Sequence, residues 1–162
     1  MNHASSAIFI QNQKSLGVAE TLTSTKAFER FAAEYGVKIK SYLSDNGVFK
    51  SQYFKDHCQK HDQTQEFSGV GAHHQNGVAE RNIKTVVRWA RTMMIHAALH
   101  WPATTKDLLE LWPFAMNHAV FLWNNMPAKG SGLAPLEVFA DATNDVTFLR
   151  SMHVLGLPNI CA

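Results

Sequence analysis

The chain has 162 residues, 46% of them hydrophobic, and a formal net charge of +2, so one domain with a sizeable core is expected and bulk charge does not mark a nucleic-acid binder. Its only cysteines are Cys58 and Cys161, which excludes a disulfide framework and fits a reducing compartment. No apolar run reaches membrane-spanning length and no signal-peptide pattern opens the chain, so an intracellular protein with no membrane partner is expected.

Ala7-Ile8-Phe9-Ile10 reads as a short apolar strand, and Gly17-Val18-Ala19-Glu20-Thr21-Leu22 as a second extended piece. Ser24 then suits the N-cap of an amphipathic helix that presents Phe28, Phe31, Ala32 and Tyr35 on one face and stops at Gly36. Phe28 and Phe31 are expected in the core. From Val37 to Leu43 apolar residues fall mostly at alternate positions, the period of a strand. Asp45 ends that strand, and Asn46-Gly47 breaks it. A strand–helix–strand order of this kind points to an α/β fold.

Ser51 is placed to cap a second helix running to about His61, with Tyr53, Phe54 and Cys58 facing inward. His57 and His61 share a face of it, a spacing that suits zinc. The alternative is two exposed histidines beside a buried cysteine. A further ligand pair would have to come from His73-His74 on a folded-back loop. Thr64 to Ser68 reads as a short strand. Gly69-Val70-Gly71 is then either a flexible linker that lets the next helix shift or a plain connection.

The segment from Asn76 to about Leu99 has the period of a long helix. At about 100° per residue, Glu80, Lys84, Arg88 and Arg91 lie within an arc of about 80°. Ile83, Val86, Val87, Ala90, Met94 and Ala97 fill a separate apolar arc. A carboxylate followed by three cations makes a stripe suited to phosphates, or an ordinary solvated face with a Glu80–Lys84 pair. Asp45 at a strand end and Glu80 in a first helical turn supply the hard oxygen donors that a divalent magnesium or manganese ion takes.

Trp101-Pro102 should end the long helix, with a short one from Thr104 or Thr105 through Leu111. Pro113 suits the first turn of a helix reaching Asn125, which carries Phe114, Ala115, Ala119, Leu122 and Trp123 and stops at Met126-Pro127. Trp112 and Trp123 read as packing residues, with base stacking as the alternative. Pro135 opens a helical turn through Phe139. The domain is read as 1–146, and 147–162 as the start of a following segment that is cut off.

The run Asp45-Asn46-Gly47, followed by Phe67-Ser68-Gly69-Val70-Gly71-Ala72-His73-His74-Gln75-Asn76-Gly77-Val78-Ala79-Glu80-Arg81, resembles the catalytic core of a copia-type retrotransposon integrase. The likeness continues through Leu111-Trp112-Pro113, Trp123-Asn124-Asn125-Met126-Pro127 and Ala134-Pro135-Leu136-Glu137. It implies a ribonuclease H-like mixed sheet flanked by helices, with the first strand missing. It implies DNA integration by metal-dependent 3′-end processing and strand transfer, in the nucleus, with DNA and further copies of the chain as partners. Asp45 becomes the second aspartate and Glu80 the glutamate of the family's metal-binding triad. Lys84 becomes a contact to DNA ends, Arg88 and Arg91 phosphate contacts, and Gln75 and Asn76 positioners of loop or DNA. No aspartate precedes Asp45, so the triad is expected to lack a member and the copy to be truncated or inactive. A non-catalytic nucleic-acid-binding or interaction remnant is the alternative.

Overall fold

The computed structural model describes residues 1–2, 4–44, 47–67, 77–100, 109–143, 145 and 147. The chain divides into two units, Gln11–Glu80 and Met1–Ile10 with Arg81–Ala162.

In the first unit, helix α1 spans Val18–Glu34 and begins well upstream of Ser24. The extended reading of Gly17 to Leu22 is therefore corrected. Threonines favour strands, but here each hydroxyl has a helical partner. Thr21 Oγ1 donates to Gly17 O at 3.0 Å and Thr25 Oγ1 to Thr21 O at 2.9 Å, the local bonding that lets such residues continue a helix. Ser24 is not the cap; its hydroxyl accepts from Gln13 Nε2. Glu20 sits in the first turn, and its carboxylate accepts the Ser15 N–H at 2.7 Å, where the helix dipole favours negative charge. The C-terminus closes as predicted: Gly36 has φ +72°, its N–H donates to Ala33 O, and Val37 N–H donates to Ala32 O. That paired closure needs a left-handed residue, which glycine supplies without strain.

Strands β1 (Ser41–Ser44) and β2 (Thr64–Phe67) pair in parallel with Ser41 opposite Thr64 and Ser44 opposite Phe67. Among the described residues this pair is the whole sheet, smaller than the mixed sheet expected. β1 is also shorter than the run Val37–Leu43, and Lys40 O meets Thr64 N–H at 2.9 Å just before it. A parallel pair needs a crossover, and here it is a 3₁₀ turn, Val48–Lys50, and helix α2, Gln52–Lys60. Ser51 caps α2 as predicted, accepting from Phe54 N–H. Phe54 is 1% exposed, with Phe49 and Tyr42 edge-on at 5.0 and 5.6 Å between ring centroids. Tyr53, expected inside, is 70% exposed. Phe28 and Phe31 are only partly buried.

The second unit is built on α3 (Gly77–His100, whose first turn falls in the first unit), α4 (Trp112–Asn125) and α5 (Pro135–Ala140). Pro113 stands in the first turn of α4 and Met126 ends it, both as predicted. Val86, Ala90, Ala115, Ala119, Val120 and Ile8 form one buried cluster, with Trp89 and Trp123 packed against it. On α3 the buried face includes Asn82, whose Nδ2 donates to Met1 Sδ at 3.0 Å, and excludes Ile83, which is 55% exposed. Trp112 is 37% exposed rather than packed. Thr104, Thr105 and residues 148–162 lie outside the described residues.

Ala7 to Ile10 is not a strand. The Asn124 side chain takes the place of a neighbouring strand: its Oδ1 accepts Ile8 N–H at 2.9 Å and its Nδ2 donates to Ile8 O at 2.7 Å. Trp123 Nε1 adds a bond to Ser6 O at 2.9 Å. Apolar spacing could not distinguish this, because one amide satisfies a backbone N–H and C=O as a ladder would. Removing it in Asn124→Ala leaves both Ile8 groups buried without their partner, at about 2–4 kcal/mol for two bonds. Urea unfolding should show a midpoint lowered to match with the slope unchanged. A midpoint equal to the parent's would mean that the segment is held by packing alone.

Candidate metal and nucleic-acid interface

β1 delivers the chain to Asp45, immediately after Ser44. Asp45 and Asn46 lie outside the described residues, as do His73, His74, Gln75, Asn76 and the Gly69-Val70-Gly71 connection. The supports of β1 are described. Glu29 on α1 accepts from Tyr42 Oη at 2.8 Å and from Gln63 Nε2 at 2.7 Å. Both its oxygens also lie 3.0 and 3.1 Å from His57 Nε2. A carboxylate only accepts, so the His57 proton in this pair sits on Nε2. One side chain thereby ties α1 to β1, to α2 and to the approach of β2.

Burial would push the Glu29 carboxyl up, but the bonds from Gln63, His57 and Tyr42 outweigh it and hold the group below its ordinary value. Tyr42 moves the other way, raised by burial and then by the Glu29 charge. Cys58 is also raised, by burial first and Glu29 second. Its thiol is therefore further from the thiolate that metals prefer.

The zinc reading of His57 and His61 changes accordingly. Their rings are 4.6 Å apart, but His57 is buried and bonded to Glu29 rather than exposed. Among the described residues no group of three or more His, Cys, Asp or Glu side chains is placed to hold a metal.

Glu80 occupies the first turn of α3 and is exposed, as are Lys84, Arg88 and Arg91 along the same helix. Glu80 and Lys84 form no ion pair with each other; among the described residues the one salt bridge is His57–Glu29. Arg81, quoted only within the motif string, is exposed too. At about 100° per residue it extends the cationic arc beyond Arg88, arithmetic the sequence already allowed.

No family model matches the chain. Over 108 residues, 64% of its length, it is 33% identical to the retrovirus-related Pol polyprotein from transposon TNT 1-94 of Nicotiana tabacum. It spans 8% of that polyprotein's length. The copia-type resemblance fits this match. Two forms of the HTLV-2 integrase catalytic core domain in complex with magnesium superpose with TM-scores of 0.56 (dimeric form) and 0.60 (trimeric form), each at 19% identity. They cover 83% and 85% of this chain and 77% and 79% of theirs. The chain therefore has the fold of an integrase catalytic core. An integrase-core fold also relates it to a chain of the simian T-cell lymphotropic virus intasome in complex with PP2A regulatory subunit B56 gamma. That match has TM-score 0.60 and 17% identity, covering 83% of this chain and 44% of the other.

Within this fold, the Glu29 network carries its own test. A carboxyl held below its ordinary 4.5 stabilises the fold above that pH, and the contribution is lost as pH falls through the folded value. Urea midpoints measured from pH 7 down to pH 3 should fall more steeply for the parent than for Glu29→Gln. Parallel curves would mean that the network contributes nothing to acid stability.

Proposed function

We propose that this chain is the catalytic-core portion of a DNA integrase, acting with a divalent metal on phosphodiesters at DNA ends. The observation that carries the reading is the exposed face of α3: a carboxylate at its start and a run of cations behind it, on an integrase-core fold. The donor set fits magnesium or manganese, because Asp45 and Glu80 offer hard oxygens and Glu80 is not tied to Lys84. When bound, such an ion supplies Lewis-acid polarisation of the phosphodiester and acidifies the attacking hydroxyl. Lys84, Arg88 and Arg91 hold the phosphates on either side by charge. Gln75 and Asn76, just before α3, orient the loop or the DNA. That an HTLV-2 core is in complex with magnesium supports the metal assignment.

The same reading takes DNA and further copies of the chain as partners, in the nucleus. The HTLV-2 core is described in dimeric and trimeric forms. Here α4 exposes Phe114 at 63% and Phe121 at 40% on one side, the kind of apolar surface that association covers.

Thermal unfolding with and without manganese tests the metal site. The parent should be stabilised by the ion, and Asp45→Asn and Glu80→Gln should each lose that shift while melting normally in chelator. DNA binding tests the stripe: Lys84→Ala and Arg88→Ala should each flatten the plot of log affinity against log salt by about 0.9 on duplex DNA. Metal-indifferent melting with an intact salt slope would turn the reading to a non-catalytic nucleic-acid-binding remnant.

A further inference from the structure

The first unit carries a cleft of about 680 Å³ between α1, the turn after it and the end of α2, with no role in the reading above. That volume is in the range of small-molecule sites, about 300–1,000 Å³. Lys26 and Arg30, one helical turn apart on α1, and Lys38 in the following turn line it. All three are exposed, and among the described residues none is in an ion pair. The single acid in the lining, Glu29, has its oxygens engaged by Tyr42, His57 and Gln63. Those bonds hold the carboxylate in place without cancelling its charge, and the three cations of the lining outnumber this one acid. Ala33, Val37 and Ile39 supply an apolar wall.

We infer that this cleft binds a nucleotide, with phosphate on Lys26, Arg30 and Lys38 and the base against the apolar wall. Three unpaired cations around a concavity focus positive potential far more than the same charges on a convex helix. A phosphate group, carrying close to two negative charges near neutral pH, matches that surplus better than one carboxylate does. The apolar wall suits the face of a base, and the Arg30 guanidinium is a planar cation that stacks on aromatic faces. The choice of a nucleotide over another anion rests on the nucleic-acid reading proposed above, whereas the cleft's cationic rim does not.

The test uses the full chain and 2′-deoxyadenosine 5′-monophosphate, followed by amide and methyl NMR. Addition should shift the Ala33, Val37 and Ile39 resonances in a saturable way. Arg30→Ala and Lys26→Ala, both surface changes, should each weaken binding by about tenfold, the scale of one charge-assisted bond. Lys84→Ala should leave it unchanged, so the cleft stands even where the α3 stripe or the metal site fails. Inorganic phosphate should compete weakly. Shifts confined to α3, an affinity indifferent to Arg30→Ala, or tighter binding of an acidic leucine-containing peptide at the cleft would each overturn the assignment.

Discussion

The Glu29 carboxylate is the constraint on which the first unit depends. Its oxygens meet Tyr42 of β1, His57 of α2 and Gln63 at the approach of β2. A half-buried charge with no partners would be expelled to solvent or neutralised. With its partners it fixes the rotation of α1 against the strand pair. Tyr42 belongs to the same four-residue strand that leads to Asp45. The network therefore anchors the strand that precedes Asp45 in the sequence. It also engages Nε2 of His57, and among the described residues no group of three or more His, Cys, Asp or Glu side chains is placed to hold a metal around it.

The second unit solves a different problem. Its buried cluster is made largely of small side chains, with Ala90, Ala115 and Ala119 at 0% exposure. Each buries little apolar area, about 25 cal/mol per Å² of it, so the hydrophobic term there is thin. Directed polar contacts supplement it: Asn124 clamps Ile8, and Trp123 reaches Ser6 while its ring lies 5.8 Å from Trp89. Large apolar side chains remain outside, Ile83, Leu99 and Phe114 among them. A unit that leaves these exposed while filling its interior with alanine is shaped as much for contact as for burial.

Local signals were legible wherever a single residue decides the outcome. Ser51 caps α2, Gly36 closes α1, Pro113 opens α4, and the period of α3 separates Val86 and Ala90 from Glu80 and Lys84. What failed depends on partners distant in the chain. Ala7 to Ile10 looks like a strand because apolar spacing cannot foresee an asparagine 116 positions away. His57 looks exposed because nothing near it announces Glu29, 28 positions earlier. Gly17 to Leu22 looks extended because the apolar spacing of six residues cannot show that they open a helix reaching Glu34. For the proposed site, the helical period placed Glu80, Lys84, Arg88 and Arg91 on one face of α3, where all four are exposed. The cleft of α1 was invisible, since Lys26, Arg30 and Lys38 converge only after Gly36 reverses the chain.

These charges also bear on the proposal that a chain with formal net charge +2 binds a polyanion. Affinity for phosphates follows the number of cations that reach them together, not the sum over the molecule. On α3, Glu80 sits at the positive end of the dipole and the cations follow along one face, so the helix separates acid from base along its own axis. An acid mixed among the cations would cancel them locally, and here the one acid leads the stripe. On α1 the balance is one of number: Glu29 lies in the same cleft as Lys26, Arg30 and Lys38, its oxygens held by Tyr42, His57 and Gln63, and the three cations outnumber it. Near-neutral composition is thus no argument against nucleic acid once acids are either set at a helix start or outnumbered by the cations around them. It favours it in one respect, because weak overall charge limits non-specific binding while leaving both cationic surfaces intact.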